Sequence, residues 1–257
     1  MSWYWRKVGD EAQPALVFLH GFMGMGEDWM SISSEFGDRF YCLMPDLPGH
    51  GETPLDEELG YTAWASALRD DLLAQGIEKF HLVGYSMGGR LALYFALTYP
   101  DLVEKLLLES ANPGISDMIK RAERATLDDK LADSMQKAGM KDFLDFWYDI
   151  PLFASLNQHP EIKTQLIEKR ARQNPEKMTR VLTEMSPGRQ PSLWSRLNEL
   201  EIPTLLIAGE LDEKYCHITS QIAMTMPNAM RVTLPGCGHN THLENPSLFL
   251  HHLNAWL

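Results

Sequence analysis

Short apolar runs and amphipathic stretches alternate along the first third of the chain. ALVFL (Ala15–Leu19), FYCLM (40–44), FHLV (80–83) and VEKLLL (103–108) are each short enough for a strand and apolar on both faces. Between them, the stretches 28–36, 61–75 and 87–97 carry apolar residues at helical spacing. Short buried strands separated by helices predict βαβ units and a mostly parallel sheet. The pattern changes from 112 to 200. No strand-like run occurs there, and helical patterns rich in Lys, Arg, Glu and Met are broken at Pro151, Pro160, Pro175 and Pro187-Gly188. After it TLLIA (204–208) restores a buried strand, followed by a helix at 220–226, a strand at 230–234 and a last helix at 246–256. The expected organisation is an α/β core built from 1–111 and 201–257, with a helical cap, 112–200, inserted into it.

Length and composition narrow the function classes. At 257 residues the chain can bury a full core without disulfide or metal staples. The formal net charge of −12 argues against nucleic acid, which needs a basic face, and against anionic membrane surfaces. It leaves room for an anionic substrate, because a few local arginines outweigh distant acids. Cys42, Cys216 and Cys237 are odd in number and spaced for neither disulfides nor zinc. No signal-peptide core follows the N-terminal MSWYWRKVGDEAQP and no apolar run reaches a membrane span, so the expected setting is cytoplasmic. No glycine-rich phosphate loop appears, and the His239/His242 pair lacks the pattern of a zinc site, so no cofactor and no metal are expected.

The chemistry-bearing segments sit at strand ends. Gly84-Tyr85-Ser86-Met87-Gly88 is a G-x-S-x-G that follows an apolar run and opens a helix. Small residues on both sides allow a sharp strand-to-helix turn that exposes the Ser86 hydroxyl. His20-Gly21-Phe22 ends the first strand. Gly209-Glu210-Leu211-Asp212 ends TLLIA, and Gly236-Cys237-Gly238-His239 ends the strand after it. Ligands of α/β sheets bind at such carboxyl ends. His242, His251 and His252 are read as packing or solvent-facing residues.

HGFMG, DLPGHG, GYSMGGR, AGELD and GCGHNTHLENP together resemble the α/β-hydrolase superfamily over residues 16 to 246. The resemblance implies the chain order nucleophile, acid, base. Ser86 is then the reactive serine, His239 its base and Asp212 the acid, with Glu210 as competitor. The backbone amides of Phe22 and Met87 are the expected oxyanion donors. Serine at the nucleophile position disfavours dehalogenase and epoxide-hydrolase chemistry, which uses Asp there.

GYSMGGR with Arg90, the cap segments RAERATLDDKLA and DFWYDIPLFASL, and QPSLW resemble more narrowly the 2-succinyl-6-hydroxy-2,4-cyclohexadiene-1-carboxylate synthases of menaquinone biosynthesis. This resemblance implies a lyase that eliminates pyruvate from a small polycarboxylate, with Ser86 and His239 serving as a base. A serine carboxylesterase or carbon–carbon bond hydrolase working through an acyl-enzyme is the alternative. Arg90 lies one helical turn past Ser86, suited to a substrate carboxylate or to an ion pair with a cap or sheet acid. Arg124 serves the substrate or pairs with Asp128 at i,i+4. A later cap arginine implied by the resemblance is assigned to Arg170, with Arg172 close by and a solvated face as the other reading. Tyr85, Trp147 and Phe153 line a pocket or simply pack.

Overall fold

The computed structural model describes residues 3–55 and 60–257. Its seven strands are β1 (Trp5–Val8), β2 (Ala15–Leu19), β3 (Tyr41–Pro45), β4 (Phe80–Tyr85), β5 (Val103–Glu109), β6 (Thr204–Gly209) and β7 (Ala229–Leu234). They form one sheet in the order β1-β3-β2-β4-β5-β6-β7, parallel except where β1 runs antiparallel to β3. β2, β3, β4 and β6 are buried at every position, as a parallel sheet covered on both faces requires. β1 is the one strand that the apolar pattern missed. Its WRKV is only half-buried, at the sheet edge, where charged side chains are tolerated and discourage further pairing. Arg6 uses that position to pair with the buried Asp46.

The helices are α1 (Met30–Ser33), α2 (Tyr61–Ala74), α3 (Met87–Thr98), α4 (Met118–Ala138), α5 (Met140–Trp147), α6 (Pro160–Arg170), α7 (Pro175–Glu184), α8 (Glu213–Thr225), α9 (Thr241–Glu244) and α10 (Pro246–Trp256). Between β5 and β6 there is no strand. Of the four expected breaks, Pro160 and Pro175 stand at the first turn of α6 and α7, and Pro151 opens a 3-10 turn. Proline fits those positions because its missing N–H would have no intrahelical partner there. α8 begins seven residues earlier than the apolar spacing suggested. Asp212 caps it, its carboxylate accepting the Tyr215 N–H at 3.2 Å. In α10, His251 is exposed as expected, whereas His252 is half-buried.

Two apolar layers cover the two faces of the sheet. One gathers Trp29, Phe36, Phe249 and the outward residues of β3 and β6. The other runs without a break from Leu19, Leu82 and Leu91 into Met135, Phe143, Leu166 and Met178 of the helical insertion. The insertion therefore shares a core with the sheet. Polar ties reinforce the contact: Gln173 donates to the carbonyls of Met23 and Gly24 and accepts from the Gly51 N–H. Asp128, fully buried in α4, accepts from Ser186 Oγ, which in turn accepts the Gly188 N–H at 2.8 Å.

Gly188 packs directly on the backbone of α4: a Cβ there would lie 2.2 Å from the Ala125 nitrogen and 2.6 Å from its Cα. Backbone cannot yield as a side chain can, so Gly188→Ala should cost about 1–3 kcal/mol. A urea titration should show the midpoint falling by that equivalent. An unchanged midpoint would mean that the insertion seats itself in another way.

Candidate active site

Ser86 stands between β4 and α3 at φ 51°, a left-handed conformation that an L residue holds only under constraint. The constraint is steric and local. A Cβ on Gly84 would lie 2.5 Å from the Gly88 carbonyl oxygen, and one on Gly88 would lie 2.3 Å from that of Leu19. Two glycines thus let α3 turn back against β4 and β2. The Ser86 N–H is fixed by the Glu109 carbonyl at 2.9 Å.

His239 and Asp212 converge on this hydroxyl from the ends of β7 and β6. His239 Nε2 is 3.0 Å from Ser86 Oγ, and Nδ1 is 2.7 Å from Asp212 Oδ2. Both His239 and Asp212 are buried. A carboxylate only accepts, so Nδ1 carries the proton and Nε2 presents its lone pair to the serine O–H. Glu210, the competing acid, is exposed and accepts from the Gly236 N–H at 3.0 Å, away from the imidazole.

The loops that carry these groups are held by polar residues which the sequence reading did not single out. Glu109, fully buried at the end of β5, accepts from Thr241 Oγ1 at 2.6 Å, from the His242 N–H at 3.0 Å and from His242 Nδ1 at 2.8 Å. Ser110 Oγ donates to the His239 carbonyl, and Glu244 accepts from the amides of Gly238 and Asn240 on either side of His239. His242 stacks on Trp29 at 4.3 Å between ring centroids, the packing role expected of it.

Phe22 and Met87 border the same cavity as Ser86, and neither backbone amide has a hydrogen-bond acceptor among the described residues. The Phe22 loop is ordered by two buried imidazoles. His20 Nδ1 donates to the Gly21 carbonyl at 2.8 Å, and its Nε2 accepts the Leu47 N–H at 2.9 Å. His50 Nε2 accepts the Met23 N–H at 3.2 Å, with Nδ1 donating to the Pro48 carbonyl. Burial lowers the His20 pKa to about 4 and takes His50 well below the usual histidine value, so both are neutral at pH 7.

The cavity over Ser86 has a volume of about 100 Å³. Every expected cap and substrate residue borders it, but their bonding differs. Arg90 is 7% exposed, and its Nη1 donates to Tyr61 Oη, the Met185 carbonyl and Gln190 Oε1. All three acceptors are neutral. The ion pair considered for Arg90 does not form among the described residues. Arg124 Nε does meet Asp128, at 2.9 Å to each carboxylate oxygen. Arg170 is buried, not on a solvated face, while Arg172 is exposed. Arg170 holds Asp28 through two bonds of 2.9 and 2.6 Å, which keep the Asp28 carboxyl below its usual range against the cost of burial. Its Nε has no partner among the described residues. Tyr85 packs 5.5 Å from the His239 ring, Phe153 5.7 Å from it, and Trp147 5.5 Å from Phe22. These aromatics both line the cavity and pack. Burial raises the Tyr85 phenol well above its usual value.

Residues 14–246 match the family model for the α/β hydrolase fold. The chain is 40% identical over 245 residues to a putative 2-succinyl-6-hydroxy-2,4-cyclohexadiene-1-carboxylate synthase of Bacillus subtilis strain 168, covering 94% of this chain and 89% of the relative. It is 34% identical to the synthase of that name from Pectobacterium atrosepticum, covering 95% and 94%. The solved structure of MenH from S. aureus superposes with a TM-score of 0.94 at 34% identity over 99% and 97% of the two chains. The chain belongs to this synthase family of α/β hydrolases. A thermophilic esterase from Thermogutta terrifontis, at TM-score 0.86 and 23% identity, shares the fold. For this synthase-family chain, Tyr61, Gln190, Asp28, Gln173 and Glu109 escaped sequence reading because single polar residues in helices and at strand ends carry no motif.

If Asp212 sets the imidazole tautomer, Asp212→Asn should lower kcat by about 10⁴ while Glu210→Gln changes it less than threefold. The opposite ranking in steady-state kinetics would make Glu210 the acid.

His20 also predicts a pH window for stability. Its folded pKa lies below the unfolded value, so the unfolded chain takes up a proton first as the pH falls below about 6.5. The contribution is constant above that pH and declines down to about 4. The loss amounts to roughly 3 kcal/mol. Urea unfolding at pH 7 and 4.5 should show the decline, and His20→Asn should remove the His20 share of it, leaving that of His50, whose pKa burial also lowers. Parallel profiles for the two proteins would refute the assignment.

Proposed function

We propose that the chain eliminates pyruvate from 2-succinyl-5-enolpyruvyl-6-hydroxy-3-cyclohexene-1-carboxylate, leaving 2-succinyl-6-hydroxy-2,4-cyclohexadiene-1-carboxylate. The observation that carries this reading is Arg90: a buried guanidinium, bonded only to neutral groups, facing the cavity that holds Ser86. A buried cation without a counter-charge is costly, and an anionic ligand relieves that cost. The membership of the synthase family supports the same substrate class.

The names of substrate and product set the bond changes. The ring C2–H bond, next to the succinyl carbonyl, breaks, and C2=C3 forms. The C3=C4 double bond shifts to C4=C5, and the C5–O bond to the enolpyruvyl group breaks. Asp212 holds Nδ1–H, so Nε2 of His239 draws the Ser86 proton and the serine oxygen takes the C2 proton. The amides of Phe22 and Met87 are the donors for the oxyanion that develops on the succinyl carbonyl. Imidazolium then returns a proton to the departing pyruvate enolate. No acyl-enzyme forms. The helical segment 112–200 acts as the cap, with Tyr85, Arg124, Trp147, Phe153 and Arg170 shaping the pocket around the polycarboxylate. The setting proposed is cytoplasmic; no helix among the described residues is long and apolar enough to cross a membrane.

Incubation of the purified protein with the cyclohexene substrate should release pyruvate, read by a coupled lactate dehydrogenase assay. Ser86→Ala should retain less than a hundredth of the rate. Arg90→Ala should lose roughly tenfold to 150-fold in kcat/KM on this substrate, the equivalent of one charge-assisted contact. Its hydrolysis of a small neutral ester should change little. Ester turnover by the unmodified protein without pyruvate release would favour the acyl-enzyme hydrolase instead.

A further inference from the structure

The four cations around the cavity are not equivalent. Arg124 and Arg170 each face a carboxylate of the chain, Asp128 and Asp28. Arg90 and Lys214 do not pair with any carboxylate among the described residues. Lys214 lies two residues past Asp212 in the first turn of α8, exposed at a rim, with Nζ 5.3 Å from the centre of the Tyr215 ring. That ring in turn lies 4.8 Å from the His239 ring.

Lys214 also stands at a boundary. The inner cavity of about 100 Å³ opens beside a groove of about 600 Å³ between α4, α5 and the β6–α8 loop. Arg124, Trp147, Leu152 and Lys214 border both spaces. Sites for organic ligands of ordinary size span about 300–1,000 Å³. A cyclohexene carrying succinyl, carboxyl and enolpyruvyl groups exceeds the inner cavity. The adjoining groove has room for the part that does not fit.

We propose that Lys214 binds one carboxylate of the substrate where it crosses from the inner cavity into the groove, opposite Arg124. This rests on the polycarboxylate reading of the site. In the free protein Arg124 is taken up by Asp128, while Lys214, on the same shared wall beside Asp212 and Glu213, makes no ion pair with a carboxylate among the described residues. Burial first and Arg124 second press the Lys214 ammonium below the ordinary lysine value, with Asp212 opposing them, and an anion beside Lys214 favours its charged form. Arg90 then takes a carboxylate at the inner end and Lys214 one at the mouth. This division fixes the direction in which an unsymmetrical substrate lies over Ser86.

The test uses Lys214→Ala and Lys214→Arg in the full chain. Lys214→Ala should raise KM for the cyclohexene substrate roughly tenfold or more, with kcat within about threefold. Lys214→Arg should recover most of that loss, and a neutral ester should be turned over equally by all three proteins. Unchanged KM, or an equal loss on the neutral ester, overturns the proposal. Direct binding of tricarballylate, measured by calorimetry, separates this failure from failure of the lyase reading. If the unmodified protein releases no pyruvate but binds tricarballylate, and Lys214→Ala weakens that binding by about tenfold, the carboxylate site stands without the lyase. Equal binding to both proteins, or none to the unmodified one, overturns it.

Discussion

The buried carboxylate of Glu109 ties the reactive ends of the sheet together. Its backbone carbonyl takes the Ser86 N–H, and its side chain takes three donors from Thr241 and His242, two and three residues past His239. A carboxylate removed from water is expensive, and only a full set of donors offsets the cost. The turn that carries His239 is one conformation that supplies those donors from Thr241 and His242. The same residue thus constrains the backbone of Ser86 and the imidazole that meets it. Gly84 and Gly88 add the steric half of the arrangement, since only their missing side chains admit the left-handed turn at Ser86.

Charge is distributed around the cavity with a similar division of labour. Arg170–Asp28 and Arg124–Asp128 are closed pairs; the first joins α6 to the loop after β2, and the second leads through Ser186 to Gly188. Their net charge is nearly cancelled at short range. Whatever positive field an anion meets at the inner end comes mainly from Arg90. A chain with a formal net charge of −12 can in this way present a cationic interior to a polyanion, because a guanidinium a few ångströms off outweighs acids beyond a Debye length.

The parts of this site that sequence made legible are those where chemistry needs a fixed spacing along the chain. Ser86 had its flanking glycines, and Asp212 and His239 each followed an apolar run. The parallel sheet showed because strands buried on both faces leave unbroken apolar runs; β1 did not, because an edge strand is free to carry Arg6 and Lys7. What stayed hidden were groups whose meaning is three-dimensional. Glu109 ends an apolar run like any strand-closing acid. His20 and His50 are separated by thirty positions and become one device only when β2 and β3 pair. Arg124 had two readings from sequence, and the structure supports parts of both: it pairs with Asp128 and still borders the cavity. The early start of α8 was hidden too, since EKYCHIT has no clean apolar stripe and the helix depends on Asp212 as its cap.

That last dependence joins the cap of a helix to the chemistry. One oxygen of Asp212 holds His239 Nδ1, and the other accepts the Tyr215 N–H that opens α8. The carboxylate is thereby oriented by backbone as well as by imidazole, and α8 delivers Tyr215 and Lys214 to the cavity wall. Arg90 is oriented from both parts of the molecule, by Tyr61 on α2 and by Met185 and Gln190 at the end of the helical insertion. A guanidinium held this way keeps its place in the wall of the Ser86 cavity only while the insertion is docked on the shared core. The Ser86, His239 and Asp212 geometry is common ground for acyl transfer and for proton abstraction. In the proposed reaction, the outcome is decided by where the charged arms of the substrate are pinned, and therefore by the insertion rather than by the three residues.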